Sequence, residues 1–474
     1  MSVIKFGTDG WRAAIAEDFT FANVRLCAQA VSEYLKENGD ASRGLVVGYD
    51  TRFGSEHFAA AVAEVSTANG IRTYLCDRNA PTPAISYSIL TNKAAGGVVI
   101  TASHNPWTDN GFKYKLDIGA SATPQVVAQL ERHIDSLERS GSPIQRISLD
   151  EAKSRDLLVT FDPSVLYIQK IRTLVDIDGI RRAGIRIAAD PMHGTGTGYL
   201  PLLLSGDRTQ VYEIRSERNP YFDGQGPEPI TKNLGELINL IKGGGYDVGL
   251  STDGDADRLG VVDENGKFVS QLEVFALLAL YLLEARGERG DIVKSVTSTS
   301  MANGLGKLYG VRIHEERVGF KYIGAKMMEV NALMGGEESG GFAFRGHIPE
   351  RDGVVAALFI LDLMVKLNMK PSQLVAYLFE KVGPHYYDRV DVPLKPGTRE
   401  ALLQRLQEAQ PSSLGGLPVT GVDTVDGFRF TLENGSWLLF RFSGTESLMR
   451  IYTETDSPER VQKILSEGQK LAGV

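Results

Sequence analysis

The sequence predicts an α/β protein of several units, with a smaller α+β unit at its carboxyl end. Three observations predict this. Short β-branched runs alternate with helical patterns along most of the chain, the signature of parallel βαβ units. The alternation starts afresh twice, and the length of 474 residues suffices for three or four domains of ordinary size. Beyond about residue 384 the texture changes to closely spaced strands and one terminal helix.

In the first unit, Val24, Cys27, Val31 and Leu35 recur at helical spacing. Residues 44–48 read as a strand ending at Tyr49-Asp50-Thr51-Arg52, followed by a helix near 55–69 and strands at 71–76 and 97–101. Strands at 185–189, 210–214 and 247–251 make a second unit, and those at 291–294, 310–313 and 332–335 a third. Stretches near 139–154 and 384–395 mix acidic and basic residues without a pattern and read as linkers. Strands at 437–440 and 448–453 follow, and Ser457-Pro458-Glu459 opens the last helix with an N-cap serine and a proline at its first position.

Composition limits the function classes. A hydrophobic content of 42% and a charged content of 23% are those of soluble globular proteins. The net charge of −8 argues against a general nucleic-acid or anionic-membrane surface, so an anionic substrate must be held by local cations. The two cysteines, Cys27 and Cys76, sit in apolar surroundings and read as core residues of a reducing compartment. The amino terminus shows no secretory apolar region, and the most apolar run, 354–365, is broken by Asp362 and too short to span a bilayer. A cytoplasmic protein is expected.

The most informative segment is Leu250-Ser251-Thr252-Asp253-Gly254-Asp255-Ala256-Asp257-Arg258, after the apolar Val248-Gly249-Leu250. In extended backbone, side chains two apart point the same way, so Asp253, Asp255 and Asp257 converge. Three carboxylates so close repel unless a cation sits among them, and a hard divalent ion such as Mg²⁺ or Ca²⁺ answers that need. A solvated acidic turn is the plainer alternative. An EF-hand loop is excluded, because its sixth position would be Arg258 rather than glycine and the flanks read as strands.

Three further loops follow strands, where ligands gather in open parallel sheets. Thr101-Ala102-Ser103-His104-Asn105-Pro106 puts a serine hydroxyl in a tight polar loop, with His104 adjacent and Lys113 near enough to fold back. The same loop would serve as a plain hydrogen-bonded turn, and no Ser-His-Asp triad can be assigned. Gly335-Gly336-Glu337-Glu338-Ser339-Gly340-Gly341 pairs two carboxylates with four glycines, a composition suited to sugar hydroxyls. Arg441-Phe442-Ser443-Gly444-Thr445-Glu446 offers a guanidinium, hydroxyls and successive N–H groups, the makings of a phosphate nest, and Arg450 adds a second cation.

Taken together these loops resemble the α-D-phosphohexomutase superfamily, the phosphoglucomutases and phosphomannomutases. The match runs through the whole chain in order: Gly7-Thr8-Asp9-Gly10-Trp11-Arg12, the Ser103 loop, the three-aspartate loop, Arg317-Val318-Gly319-Phe320-Lys321, the Glu337/Ser339 loop and the Arg441 loop. The resemblance implies four domains around a central cleft, three related α/β units with mainly parallel sheets and a smaller α+β unit, at 1–145, 155–258, 259–378 and 386–474. It implies that Ser103 carries a phosphoryl group beside one Mg²⁺ per chain held by Asp253, Asp255, Asp257 and a Ser103 oxygen. His104, Lys113 and Arg258 become its active-site neighbours, with Lys113 the candidate general base. Glu337 and Ser339 match sugar-hydroxyl contacts, Arg12 and Phe320 lie in substrate-binding motifs, and Lys294, Arg441, Ser443, Gly444 and Thr445 match the grip on the phosphate not transferred.

The implied activity is interconversion of hexose 1- and 6-phosphates through phosphoserine and a hexose 1,6-bisphosphate, which also serves as activator. Sugar phosphates are then the only partners, without nucleic acid or membrane, and the enzyme is a monomer or homodimer. Phe320 stands where several dual-specificity relatives carry histidine. Gly341 and Glu338 stand where aminosugar mutases usually carry histidine and glutamine. The first leaves open how the 2-hydroxyl is read; the second favours glucose and mannose phosphates over glucosamine phosphate. Phosphoglucosamine mutase, hexose bisphosphate synthase and a non-catalytic cation or phosphosugar binder are the alternatives.

Overall fold

Each run of alternation in the sequence closes into its own sheet in the computed structural model, which describes residues 3–395, 397–443 and 447–474. The first sheet is ordered Trp11–Ala14, Asp109–Leu116, Gly96–Ile100, Leu45–Tyr49, Thr73–Cys76, Leu158–Phe161. Its last four strands are parallel and its first two add an antiparallel edge. Val46, Val47, Val98 and Val99 are buried, because helices cover both faces of such a sheet; that explains their unbroken apolar runs. On the helix Phe21–Glu37 the residues Val24, Cys27, Val31 and Leu35 form the buried stripe their spacing predicts, and the Thr20 hydroxyl caps it by accepting from the Asn23 N–H.

The second sheet is ordered Phe268–Val269, Leu259–Val262, Val248–Thr252, Arg186–Asp190, Gln210–Glu213, parallel in its last three strands and antiparallel in its first three. The third runs Ile313–Glu316, Ile292–Ser295, Met334–Gly336, Phe342–Phe344, parallel except at Phe342–Phe344. The fourth is wholly antiparallel, ordered Tyr386–Pro393, Leu448–Thr455, Trp437–Phe442, Phe428–Leu432, Leu417–Asp423, Ser413–Leu414. The helix Pro458–Ala472 lies over it, capped by Ser457 as expected.

Four boundaries depart from the sequence reading. The strand Leu158–Phe161, expected to begin the second unit, completes the first sheet by pairing with Thr73–Cys76, which covers an otherwise open edge. Residues 259–269, expected in the third unit, belong to the second sheet as a hairpin partner of Val248–Thr252. The presumed linker at 139–154 contains the end of the helix Pro124–Ser140 and the short helix Leu149–Ser154 capped by Ser148. The presumed linker at 384–395 is the edge strand Tyr386–Pro393, whose side chains are exposed or half-buried, so its sequence shows little apolar alternation.

One apolar core serves the second and third sheets together. The helix Gly353–Leu367 is buried almost throughout and packs on Ile177–Ala183 and the strands of the second sheet, which accounts for its apolar run. No described helix is long and apolar enough to cross a membrane.

Candidate active site

The Ser103 loop begins where the strand Gly96–Ile100 ends. Ser103 has φ +52°, a left-handed conformation that a non-glycine residue holds only under external constraint. Arg52 supplies that constraint. Its guanidinium is fully buried and donates to the carbonyls of Ser103 at 2.6 Å, Asn105 at 2.7 Å, Pro106 at 2.8 Å and Asp109 at 2.9 Å. The Thr101 hydroxyl accepts the Ser103 N–H at 2.9 Å.

The three-aspartate loop is the turn between the antiparallel strands Val248–Thr252 and Leu259–Val262. Asp253 Oδ1 accepts the N–H groups of Asp257 and Arg258 at 2.9 and 3.0 Å, which curls the turn. A Cβ at Gly254 would stand 2.7 Å from the Ser103 carbonyl oxygen, so glycine there lets the two loops touch. As a result the Ser103 hydroxyl donates to Asp253 Oδ2 at 2.7 Å.

Asp253, Asp255 and Asp257 are fully buried, and one oxygen from each lies within 4.8 Å of the others. Burial, then the charges of Asp257 and Asp255, push the Asp253 carboxyl well above its ordinary range; burial also pushes Asp257 up. At Asp255 burial is outweighed by the Lys113 ammonium, donating at 2.8 Å, and the Thr82 hydroxyl at 2.7 Å, so its pKa falls. Asp255 Oδ1 and Asp257 Oδ1 are buried without a hydrogen-bond partner among the described residues. Orphaned hard oxygens at this spacing fit a divalent cation with oxygen ligands.

Lys113 is caged by Asp9 and Asp255 at 2.8 Å and Asp257 at 3.6 Å. Burial alone would lower its pKa; the three carboxylates outweigh it and raise the pKa. These carboxylates favour its ammonium form, the opposite of the proton acceptor expected for it. His104 Nδ1 lies 3.4 Å from the Ser103 hydroxyl, and desolvation, then Arg258 and Arg12, hold the imidazole well below its ordinary pKa. Arg12 donates to the Asn105 side chain at 2.7 Å and Arg258 pairs with Glu228 at 3.1 Å.

Several charged residues of this centre carry no signal in the loop motifs. Arg351 reaches Asp9 at 2.6 Å and Asp257 at 2.8 Å, while its neighbour Glu350 accepts from Lys115 at 2.5 Å and Ser121 at 2.6 Å. Asp352 takes the Tyr167 hydroxyl at 2.9 Å. One tripeptide of the third unit thus clasps the first two. The available signal was Glu350-Arg351-Asp352 standing immediately before the chain's most apolar helix, where charges must be paired.

Glu337 accepts the Gly319 N–H at 2.8 Å, and burial raises its pKa to about 7. Ser339 is half-buried beside it, and Glu338 accepts from the Thr297 hydroxyl at 2.5 Å. Phe320, expected against the substrate, is instead a core residue 2% exposed and packed with Ile323 and Met327, its ring under the Arg351 guanidinium at 5.4 Å. A Cβ at Gly341 would stand 2.2 Å from Arg351 Cδ, so a side chain there displaces that arginine.

In the fourth sheet Arg441 and Arg450 stand directly opposite each other on neighbouring strands. Like charges so paired are unfavourable unless anions accompany them; Asp426 meets Arg441 at 2.8 Å and Asp391 meets Arg450 at 3.7 Å. Ser443 is buried at the strand's end, whereas Gly444 and Thr445 lie outside the described residues. Lys294 does not touch these arginines; it pairs with Glu315 at 2.8 Å, which pairs in turn with Arg429 at 2.5 Å.

Comparison with known proteins follows the same division. Family descriptions of the phosphoglucomutase/phosphomannomutase α/β/α domains I, II and III match residues 3–140, 166–266 and 272–382, and that of the C-terminal domain matches 390–468. The chain is 30% identical over 470 residues to a phosphoglucomutase/phosphomannomutase of Thermococcus kodakarensis, covering 98% of each. It is 29% identical over 473 residues to a phosphoglucosamine/phosphogalactosamine mutase of Sulfurisphaera tokodaii, again covering 98% of each. A putative phosphomannomutase from Thermus thermophilus superposes with a TM-score of 0.86 at 33% identity over the full length of both chains. With all four domains matched in order, the chain belongs to the phosphoglucomutase/phosphomannomutase family.

Proposed function

We propose that this protein interconverts hexose 1-phosphates and hexose 6-phosphates, with glucose and mannose as the sugars, by way of phospho-Ser103 and a bound hexose 1,6-bisphosphate. The observation that carries the reading is the Ser103 hydroxyl on Asp253, in contact with a buried triad of carboxylates. Asp253, Asp255, Asp257 and a Ser103 oxygen would hold Mg²⁺, which when bound supplies positive charge at the transferring phosphoryl group.

The chain's own residues account for the rest. In the forward step the Ser103 Oγ–P bond breaks, a bond forms from phosphorus to the sugar hydroxyl, and that hydroxyl's proton is released. The departing Ser103 oxygen ends protonated, so the net transfer is of the sugar hydroxyl's proton to Ser103 Oγ, and the neutral His104 imidazole at 3.4 Å is placed to accept that proton and pass it on. Lys113, ringed by Asp9, Asp255 and Asp257, would contribute positive charge beside the transferring phosphoryl group. Glu337 and Ser339 would receive sugar hydroxyls, and Arg441, Arg450 and Ser443 the phosphate not transferred. The bisphosphate then turns over and its second phosphate returns to Ser103.

A phosphoglucosamine mutase is the second reading, favoured by the Sulfurisphaera relative. Against it, position 341 has no room for the side chain that aminosugar mutases usually carry there, because Arg351 fills that space. Turnover of glucose 1-phosphate, mannose 1-phosphate and glucosamine 1-phosphate, each with and without hexose 1,6-bisphosphate, separates the two. Intact-mass analysis should find one phosphate on the peptide containing Ser103, and full activity in Ser103→Ala would end the phosphoserine mechanism.

A further inference from the structure

Asp426 lies in the turn between the strands Leu417–Asp423 and Phe428–Leu432 of the fourth sheet. Its Oδ2 accepts two hydrogen bonds: one within its own sheet from Arg441 Nε at 2.8 Å, and one across a domain boundary from the Val318 N–H of the third unit at 2.9 Å. The turn is built for this. Gly427 has φ +112°, and a Cβ there would stand 2.1 Å from the Phe440 carbonyl oxygen, so only glycine lets the turn lie against the strand that carries Arg441.

The next amide along, Gly319 N–H, donates to Glu337. Two consecutive N–H groups of one loop are therefore taken by two carboxylates, one from the fourth unit and one from the proposed sugar-reading loop. A chain of contacts runs Arg441, Asp426, Val318, Gly319, Glu337. An ordinary half-exposed ion pair contributes little on its own. Here the same oxygen engages Nε, which sets the plane of the guanidinium, and an amide, which sets the position of the loop.

We propose that Asp426 is a positioning residue for the mutase reaction, coupling the grip on the phosphate not transferred to the reading of the sugar hydroxyls. The proposal rests on the mutase reading and adds a residue to it. Substrate phosphate drawing on Arg441 shifts Asp426, and with it the loop whose next amide holds Glu337.

The test uses the full chain with Asp426→Ala and Asp426→Asn, measuring steady-state kinetics on glucose 1-phosphate and mannose 1-phosphate, inhibition by inorganic phosphate, and the unfolding temperature. Asp426→Ala should raise KM for both sugars about tenfold or more and change the glucose-to-mannose ratio of kcat/KM by about threefold or more. Asparagine keeps an acceptor for both donors, so Asp426→Asn should stay within about threefold of the parent protein. Phosphate inhibition should weaken in step with KM. Kinetics of Asp426→Ala within about twofold of the parent, or an equal loss on both sugars with the ratio unchanged, would overturn the coupling. An inactive parent protein would instead overturn the mutase reading, which keeps the two failures distinct.

Discussion

Ser103 and Asp253 are 150 residues apart in sequence, yet the serine hydroxyl donates to Asp253 Oδ2 at 2.7 Å. The contact joins the first and second sheets at the ends of their central strands, and it needs Gly254, Arg52 and the left-handed backbone of Ser103 all at once. It also brings the serine oxygen to three carboxylates whose mutual repulsion has no full answer within the protein.

That imbalance predicts how the protein responds to Mg²⁺ and its removal. Asp253 has a folded pKa above its unfolded one, so its ionised form opposes folding once the pH exceeds the ordinary carboxylate range. Asparagine at 253 would keep the Oδ1 contacts to two amides and shed the charge. At pH 7 without metal, Asp253→Asn should unfold at a higher temperature than the parent protein. Saturating Mg²⁺ at about 100 times its Kd should stabilise the parent by about 2.7 kcal/mol and the variant far less. Equal Mg²⁺ shifts in both would refute the triad as the site.

Gly341 is dictated by Arg351, which in turn holds Asp9 and Asp257. Gly341→Ala should cost about 1–3 kcal/mol in a urea titration, as overpacking does. Because the displaced guanidinium leaves two buried carboxylates short of charge, kcat/KM should fall by about tenfold or more. Unchanged kinetics would show that the arginine relocates freely.

Much of this architecture was legible in the sequence. The parallel strands announced themselves because burial on both faces leaves continuous β-branched runs, and the helix at 21–37 through its 3.6-residue period. The strand Tyr386–Pro393 was hard to read, since this edge strand is little buried and its alternation is confined to Val390 and Val392. The three aspartates converge as the reading expects, but through a curled turn, with Ala256 at φ +55°, rather than through extended backbone. Arg52, Arg351 and Glu350 were not legible, because each acts through partners distant in sequence and only the fold supplies the pairing. Phe320 departs from expectation for the same reason: its ring is packed in the core with Ile323 and Met327.

Lys113 permits a separate test. Its raised pKa means that the stability it contributes is fully present below the ordinary lysine pKa and is lost only in strongly alkaline solution. Lys113→Met would leave Asp9, Asp255 and Asp257 without their ammonium and should cost about 3–5 kcal/mol. Lys113→Arg should retain more of the stability. The pH–rate profile of the parent protein between pH 6 and 9 should carry no inflection that Lys113→Arg removes; finding one would restore the lysine as a base.

Glu337 is the group placed to titrate near neutrality. Burial raises its carboxyl to about 7, so folding is favoured by its protonated form. Its penalty to stability is absent below the ordinary glutamate range, grows as pH rises, and is complete above about 7, reaching about 3–4 kcal/mol. Urea titrations at pH 5 and pH 8 should therefore show a larger alkaline loss in the parent protein than in Glu337→Gln. Substrate affinity should move the opposite way, because the ionised carboxylate accepts two sugar hydroxyls and the protonated form must give up one lone pair to its proton. KM should accordingly rise as pH falls through about 7 in the parent protein, and Glu337→Gln should show a higher KM that no longer follows pH in that window. If both proteins gave the same KM profile, the titrating group would lie elsewhere and Glu337 would be confined to holding the Gly319 amide.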